Sequence, residues 1–76
     1  MNKDRRAKIT KVVDQLDALR WDIECIQDEE QEYFDNMPYS IQQGEKGNAA
    51  EDAISALGNA VDNIDSIMDE VNKAAE

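Results

Sequence analysis

The sequence predicts an all-α protein: an antiparallel, coiled-coil-like helical hairpin that dimerises into a four-helix bundle. Three observations lead there. Apolar residues step by three and four along two long segments, a single proline at position 38 separates those segments, and each apolar stripe is wider than one neighbouring helix covers. The boundaries that follow are a first helix over about 4–35, a linker over about 36–48 and a second helix over about 49–75, all in one domain, 1–76.

In the first segment Ile9, Leu16, Ile23, Glu30 and Met37 take one heptad position, and Val12, Leu19, Ile26 and Tyr33 take the other. Eight of these nine seam positions are apolar, a pattern that an alternating strand cannot give. Val13 and Phe34 flank the seam and widen the stripe to the width used by bundle helices. This reading places Tyr33 in the core, and Glu30 where the stripe has drifted to solvent. Asn36-Met37-Pro38 ends the helix, because the residue before a proline is pushed out of the helical region. The linker then passes Gly44 and Gly47; at ~12 residues it is longer than most helix–helix connections, and such loops are often functional.

For the second helix, Asn48 and Glu51 have the spacing of a capping box and place the start near Ala49. Its seam is Ala50, Ile54, Leu57, Val61, Ile64, Met68, Val71 and Ala75, flanked at sevens by Ala53, Ala60, Ile67 and Ala74. Gly58 lies inside the helix, where glycine costs ~1 kcal/mol against alanine. Two readings stand for it: close approach of a neighbouring backbone, or tolerance on an outward face. At 1.5 Å per residue the helices would be roughly 40 to 48 Å long, and pairing of two hairpins closes both stripes into a bundle.

Composition excludes most chemistry. A chain this short buries only ~60% of its unfolded surface, so packed helices or a partner chain must stabilise it, and a homodimer is expected. There is no histidine, no glycine-rich phosphate loop, and only one cysteine, Cys25, which is read as outward and without a chemical role. The expectation is a protein that is not an enzyme and uses no cofactor. The acid-rich stretch Asp62–Glu70 lacks the glycine turn of a calcium loop, and its Ile64 and Ile67 belong to the apolar stripe, so no metal site is expected. No run approaches the ~20 apolar residues of a membrane span, and Met1–Lys11 leads into an amphipathic pattern, not a signal core. A soluble, cytoplasmic protein with no membrane contact is expected, and one thiol suits that reducing compartment.

The charge map points furthest toward function. Of the net −10, residues 1–11 carry +4, residues 12–35 carry −8 and residues 49–76 carry −6. In an antiparallel hairpin the basic start is expected to pair with Asp62, Asp65, Asp69 and Glu70, neutralising that end. The loop end gathers Asp22, Asp28, Glu29, Glu32, Asp35, Glu51 and Asp52 with little basic nearby. Several of these acids sit at a helix C-terminus, where the dipole disfavours them, and a local rule broken in this way tends to mark function. One reading is a solvated face; the sharper one is a surface whose carboxylates stand in for phosphates, at a density approaching that of duplex DNA. Trp21, on the outer face, is either an interface anchor or cover for a neighbouring helix, and Tyr39 in the linker is read as contact surface.

The segment Glu32-Tyr33-Phe34-Asp35-Asn36-Met37-Pro38, with Gln42 or Gln43, Gly44-Glu45-Lys46-Gly47 and Ala50-Glu51-Asp52-Ala53-Ile54, resembles a pattern in small acidic helical proteins of bacteriophages and mobile elements. That resemblance covers about a third of the chain and carries over no functional residue. It implies a phage or prophage setting, hence the host cytoplasm, in which such proteins often inhibit nucleic-acid enzymes or defence systems by imitating DNA. The expected function is therefore a non-catalytic acidic inhibitor or DNA mimic. Its partner would be a protein with a basic, nucleic-acid-binding surface, contacted through Trp21, Asp22, Asp28, Glu29, Glu32, Asp35, Tyr39, Glu51 and Asp52, with no direct binding of nucleic acid. The alternative is a structural coiled-coil module for assembly or scaffolding.

Overall fold

The computed structural model describes residues 1–76 and contains three helices and no strand: α1 (Lys3–Asp35), α2 (Tyr39–Gln42) and α3 (Glu45–Ala74). α1 begins where Asn2 caps it, its side-chain oxygen accepting from the Arg5 N–H at 2.9 Å. It ends at Asn36, and Pro38 turns the chain with an extended ψ of 148°. The two long helices run antiparallel as a hairpin 58 × 15 × 11 Å in extent.

The connection is tighter than the sequence suggests. In place of a long loop, residues 36–44 contain the single turn of α2, tied back to α1 by Gln42, whose Nε2 donates to the Phe34 carbonyl at 2.9 Å. The same carbonyl, near the C-terminus of α1, also accepts from the Met37 backbone N–H at 3.0 Å, so both of its acceptor positions are used. Met37 is buried beneath the turn. α3 starts four residues before the expected Ala49: Gly44 is the N-cap with no side-chain bond, and Glu45 lies in the first turn, where its charge favours the dipole. The Asn48–Glu51 pair is thus interior to the helix and caps nothing. Gly47 explains the early start, since a Cβ there would overlap the Gln42 backbone, so only glycine lets the first turn of α3 close against α2.

On α3 the residues turned toward α1 are Gly47, Ala50, Ile54, Leu57, Val61, Ile64, Met68, Val71 and Ala75, which include every seam position read from the sequence. On α1 the residues turned toward α3 are Ile9, Val13, Leu16, Arg20, Ile23, Gln27, Glu30, Phe34 and Met37. Half of the expected α1 seam is therefore correct and half is displaced by one residue. Val13 and Phe34 are in the seam, whereas Val12, Leu19, Ile26 and Tyr33 flank it and are 43–55% exposed. Tyr33 is not core, and Glu30 sits on the side facing α3.

The register follows from two polar links. Arg20 reaches Asp65 at 3.4 Å, and Gln27 Nε2 donates to the Ile54 carbonyl at 3.1 Å, lying over Gly58. Gly58 thus lies beside the seam and is approached by a side chain of α1, not by a backbone. We expect Gly47→Ala to lower stability by about 1–3 kcal/mol in urea unfolding, as overpacking against a backbone does. Gly58→Ala should change stability by less than about 1 kcal/mol, because the gain in helix propensity offsets loss of the Gln27 bond. Equal stability of Gly47→Ala and the parent protein would mean that the turn is not closed on Gln42.

Candidate functional site

A heptad-spaced helix presents its side chains in seven rows, and the rows of α1 opposite α3 are strongly acidic. Asp14, Trp21, Asp28 and Asp35 form one outward row, and Asp22 and Glu29 form another with Lys8 and Gln15. Glu32 follows Ala18 and Cys25 in the row between them, and Cys25 is exposed. Trp21 is 66% exposed, with Asp17 and Glu24 within one turn and Asp14 and Asp28 one heptad away. Tyr39, the first residue of α2, is 77% exposed at the hairpin tip.

The expected loop-end cluster does not form one face. Asp52 belongs to a row of α3 that faces away from α1, whereas Glu51 lies beside the seam, so the carboxylates ring the tip instead of converging. None of Asp22, Asp28, Glu29, Glu32, Asp35, Glu51 or Asp52 has a basic group within 4.0 Å; Asp35 accepts only from Gln31 Nε2 at 3.0 Å.

The opposite end is not neutralised either, which corrects the expectation of pairing there. The register places Asp62 to Glu70 level with Gln15 to Ile23, and Lys3 to Lys8 extend past the end of α3. The only ion pair between the long helices is Arg20–Asp65. Arg20 also holds Asp17 at 2.8 Å and Glu24 at 3.8 Å. The hydrogen bond that Arg20 donates to the Asp17 carboxylate, then the charge of Asp65, raise its pKa further, so this seam arginine is permanently charged.

The hairpin has two unlike sides, which the sequence reading missed. Beside the seam on one side lie Thr10, Asp17, Glu24 and Gln31 of α1 with Glu51, Gly58, Asp65 and Asn72 of α3, a polar side. On the other side lie Val12, Leu19, Ile26 and Tyr33 of α1 with Ala53, Ala60, Ile67 and Ala74 of α3. In an antiparallel pair these two flanking rows share one side. The heptad arithmetic held that signal, because both rows were visible as flanks, but only the register shows that they coincide. At the tip a shallow pocket of about 300 Å³ lined by Tyr33, Asn36, Met37, Pro38, Ile41 and Lys46 prolongs the apolar side.

No three cysteine, aspartate or glutamate side chains converge to hold a metal ion, and no helix is long and apolar enough to cross a membrane. No protein-family model, curated protein or solved structure matches the chain.

The setting of Trp21 is directly measurable, since it is the one tryptophan. Its fluorescence should be quenched freely by acrylamide, and more strongly by caesium than by iodide, because the surrounding carboxylates repel the anion. The difference should shrink as sodium chloride is added. Equal quenching by the two ions at low salt would contradict an acidic surface around Trp21.

Proposed function

We propose that the chain is a non-catalytic acidic binding protein, acting in the cytoplasm, that occupies the basic, nucleic-acid-binding surface of another protein and binds no nucleic acid itself. The observation that carries this reading is Trp21, exposed on a rigid helix in line with Asp14, Asp28 and Asp35, none of which has a basic partner. A large aromatic ringed by carboxylates supplies the two things such a surface recognises: an apolar anchor and fixed negative charge. Over residues 12–35, −8 spread along about 36 Å of axis is roughly one charge per 4.5 Å. That spacing is nearer the 3.4 Å of a single phosphate strand than the ~1.7 Å of a duplex. The imitation is therefore of one strand, and Trp21 takes the place of a stacked base. The likeness of residues 32–54 to small acidic phage proteins supports the same reading and an inhibitory role in a host cell.

Assembly or scaffolding is the second reading, favoured by the apolar side formed by Val12, Leu19, Ile26 and Tyr33. The two readings use different surfaces and separate by mutation. Captured from nuclease-treated host lysate, the target of the acidic face should be displaced by a single-stranded oligonucleotide. Its affinity should fall at least about tenfold, or 1.4 kcal/mol, with Trp21→Ala and with the triple reversal of Asp28, Glu29 and Glu32 to lysine. Reversal of Asp62 and Asp69 on the outward rows of α3 should have little effect. Binding that survives the triple reversal, with unchanged salt dependence, would transfer the function to the apolar side.

A further inference from the structure

We propose that the apolar side of the hairpin is the interface for a second copy of this chain, laid antiparallel so that the two tips lie at opposite ends of a four-helix bundle. This goes beyond the binding role proposed above and uses the other side of the molecule. The register that brings Arg20 to Asp65 and Gln27 over Gly58 sets Val12 level with Ala74, Leu19 with Ile67, Ile26 with Ala60 and Tyr33 with Ala53. Each rung but one joins a larger residue of α1 to an alanine of α3, and the rungs repeat every heptad along about 32 Å. A continuous apolar strip of this kind, with polar rows on the opposite side, is what a hairpin of a helical bundle turns toward its mate.

Surface area shows how much is left uncovered. A folded monomer of 8.6 kDa is expected to expose about 4,700 Å², and the hairpin exposes 5674 Å². The excess, about 1,000 Å², matches what one partner loses in a standard interface, roughly 800 Å². Only Met37, Gly47, Ala50 and Val61 are buried within one hairpin, so its core is incomplete by about one interface.

Charge says which way the second copy lies. If the tips met, the acidic ends of both copies would stand at the same end of the bundle, and like charges would collect there. In the antiparallel arrangement α1 lies against the partner's α1, head to tail. The unpaired basic stretch from Lys3 to Lys11 then arrives at the acidic last turns of the partner's α1, with Arg5 and Met1 near the pocket at its tip. Lys8 shares its row with Asp22 and Glu29 at the edge of the apolar side, whereas Trp21, Asp28 and Asp35 stay outward. The proposed dimer thus leaves Trp21, Asp28 and Asp35 free for the target, with Glu29 at its edge.

Sedimentation equilibrium of the full chain at tens of micromolar should give twice the 8.6 kDa chain mass, and a monomer or a larger assembly would overturn the proposal. Leu19→Glu with Ile26→Glu should give a monomer. Since neither side chain faces α3, circular dichroism should still show a helical chain, and a folded dimer of this variant would place the interface elsewhere. Orientation is read by a spin label at Lys11→Cys in a Cys25→Ser background. The antiparallel dimer predicts a label separation of about 35 Å; a separation under about 20 Å would mean that the copies are parallel. Loss of dimer with Trp21→Ala would contradict the division between the two faces.

Discussion

The hairpin depends on a constraint of geometry: two long helices share one seam, and whichever row of α1 enters it excludes the row beside it. α3 has a single continuous apolar stripe, so its orientation is settled. α1 has two candidates next to each other, a wholly apolar row (Val12, Leu19, Ile26, Tyr33) and a mixed row (Val13, Arg20, Gln27, Phe34). The mixed row occupies the seam. Arg20 there meets Asp65, Gln27 answers the Ile54 carbonyl over Gly58, and Phe34 accepts the Gln42 bond that closes the turn.

By burial alone this choice is poor. Fully burying a Val, Leu or Ile side chain contributes about 1.5–3 kcal/mol, whereas an exposed ion pair such as Arg20–Asp65 contributes little. A lone hairpin maximising its own stability would turn α1 by about 50° and bury Leu19 and Ile26. Keeping them outside is favourable only if something else covers them, and polar residues in the seam then fix the register while the apolar row serves a second contact. Buried or half-buried polar groups that specify register at some cost in stability are well known in coiled coils.

Much of this was legible in the sequence. The period of α3 marks its inward face, because every third or fourth residue from Ala50 to Ala75 is apolar and the apolar row beside it, Ala53, Ala60, Ile67 and Ala74, is mostly alanine with less to bury. The end of α1 followed from Asn36-Met37-Pro38, and the exposure of Trp21 from its place opposite the stripe. What failed did so for physical reasons. Counting apolar positions chose the Tyr33 row for the seam, because the count cannot see that Arg20 would find Asp65. The Asn48–Glu51 capping signal lost to Gly44 and Glu45, since the decisive contact at Gly47 is with a segment that no local pattern identifies. The charge map gathers the acidic residues at the tip end, but which rows they share could not be read from it, as rows on two helices combine only through the register.

The same register accounts for the least expected feature, a strongly acidic chain that begins with an unneutralised basic stretch. Because Lys3 to Lys8 run past the end of α3, no residue of α3 lies level with them, and Asp62 to Asp69 stand beside other parts of α1. Within one hairpin the charges are thus sorted lengthwise, positive at one end and negative at the tip, while apolar and polar side chains are sorted across the width. A rod polarised in both directions has one self-complementary arrangement, side to side and head to tail. That arrangement covers the apolar row, sets positive ends on negative tips, and leaves Trp21, Asp28 and Asp35 outward, on the face proposed for a different protein.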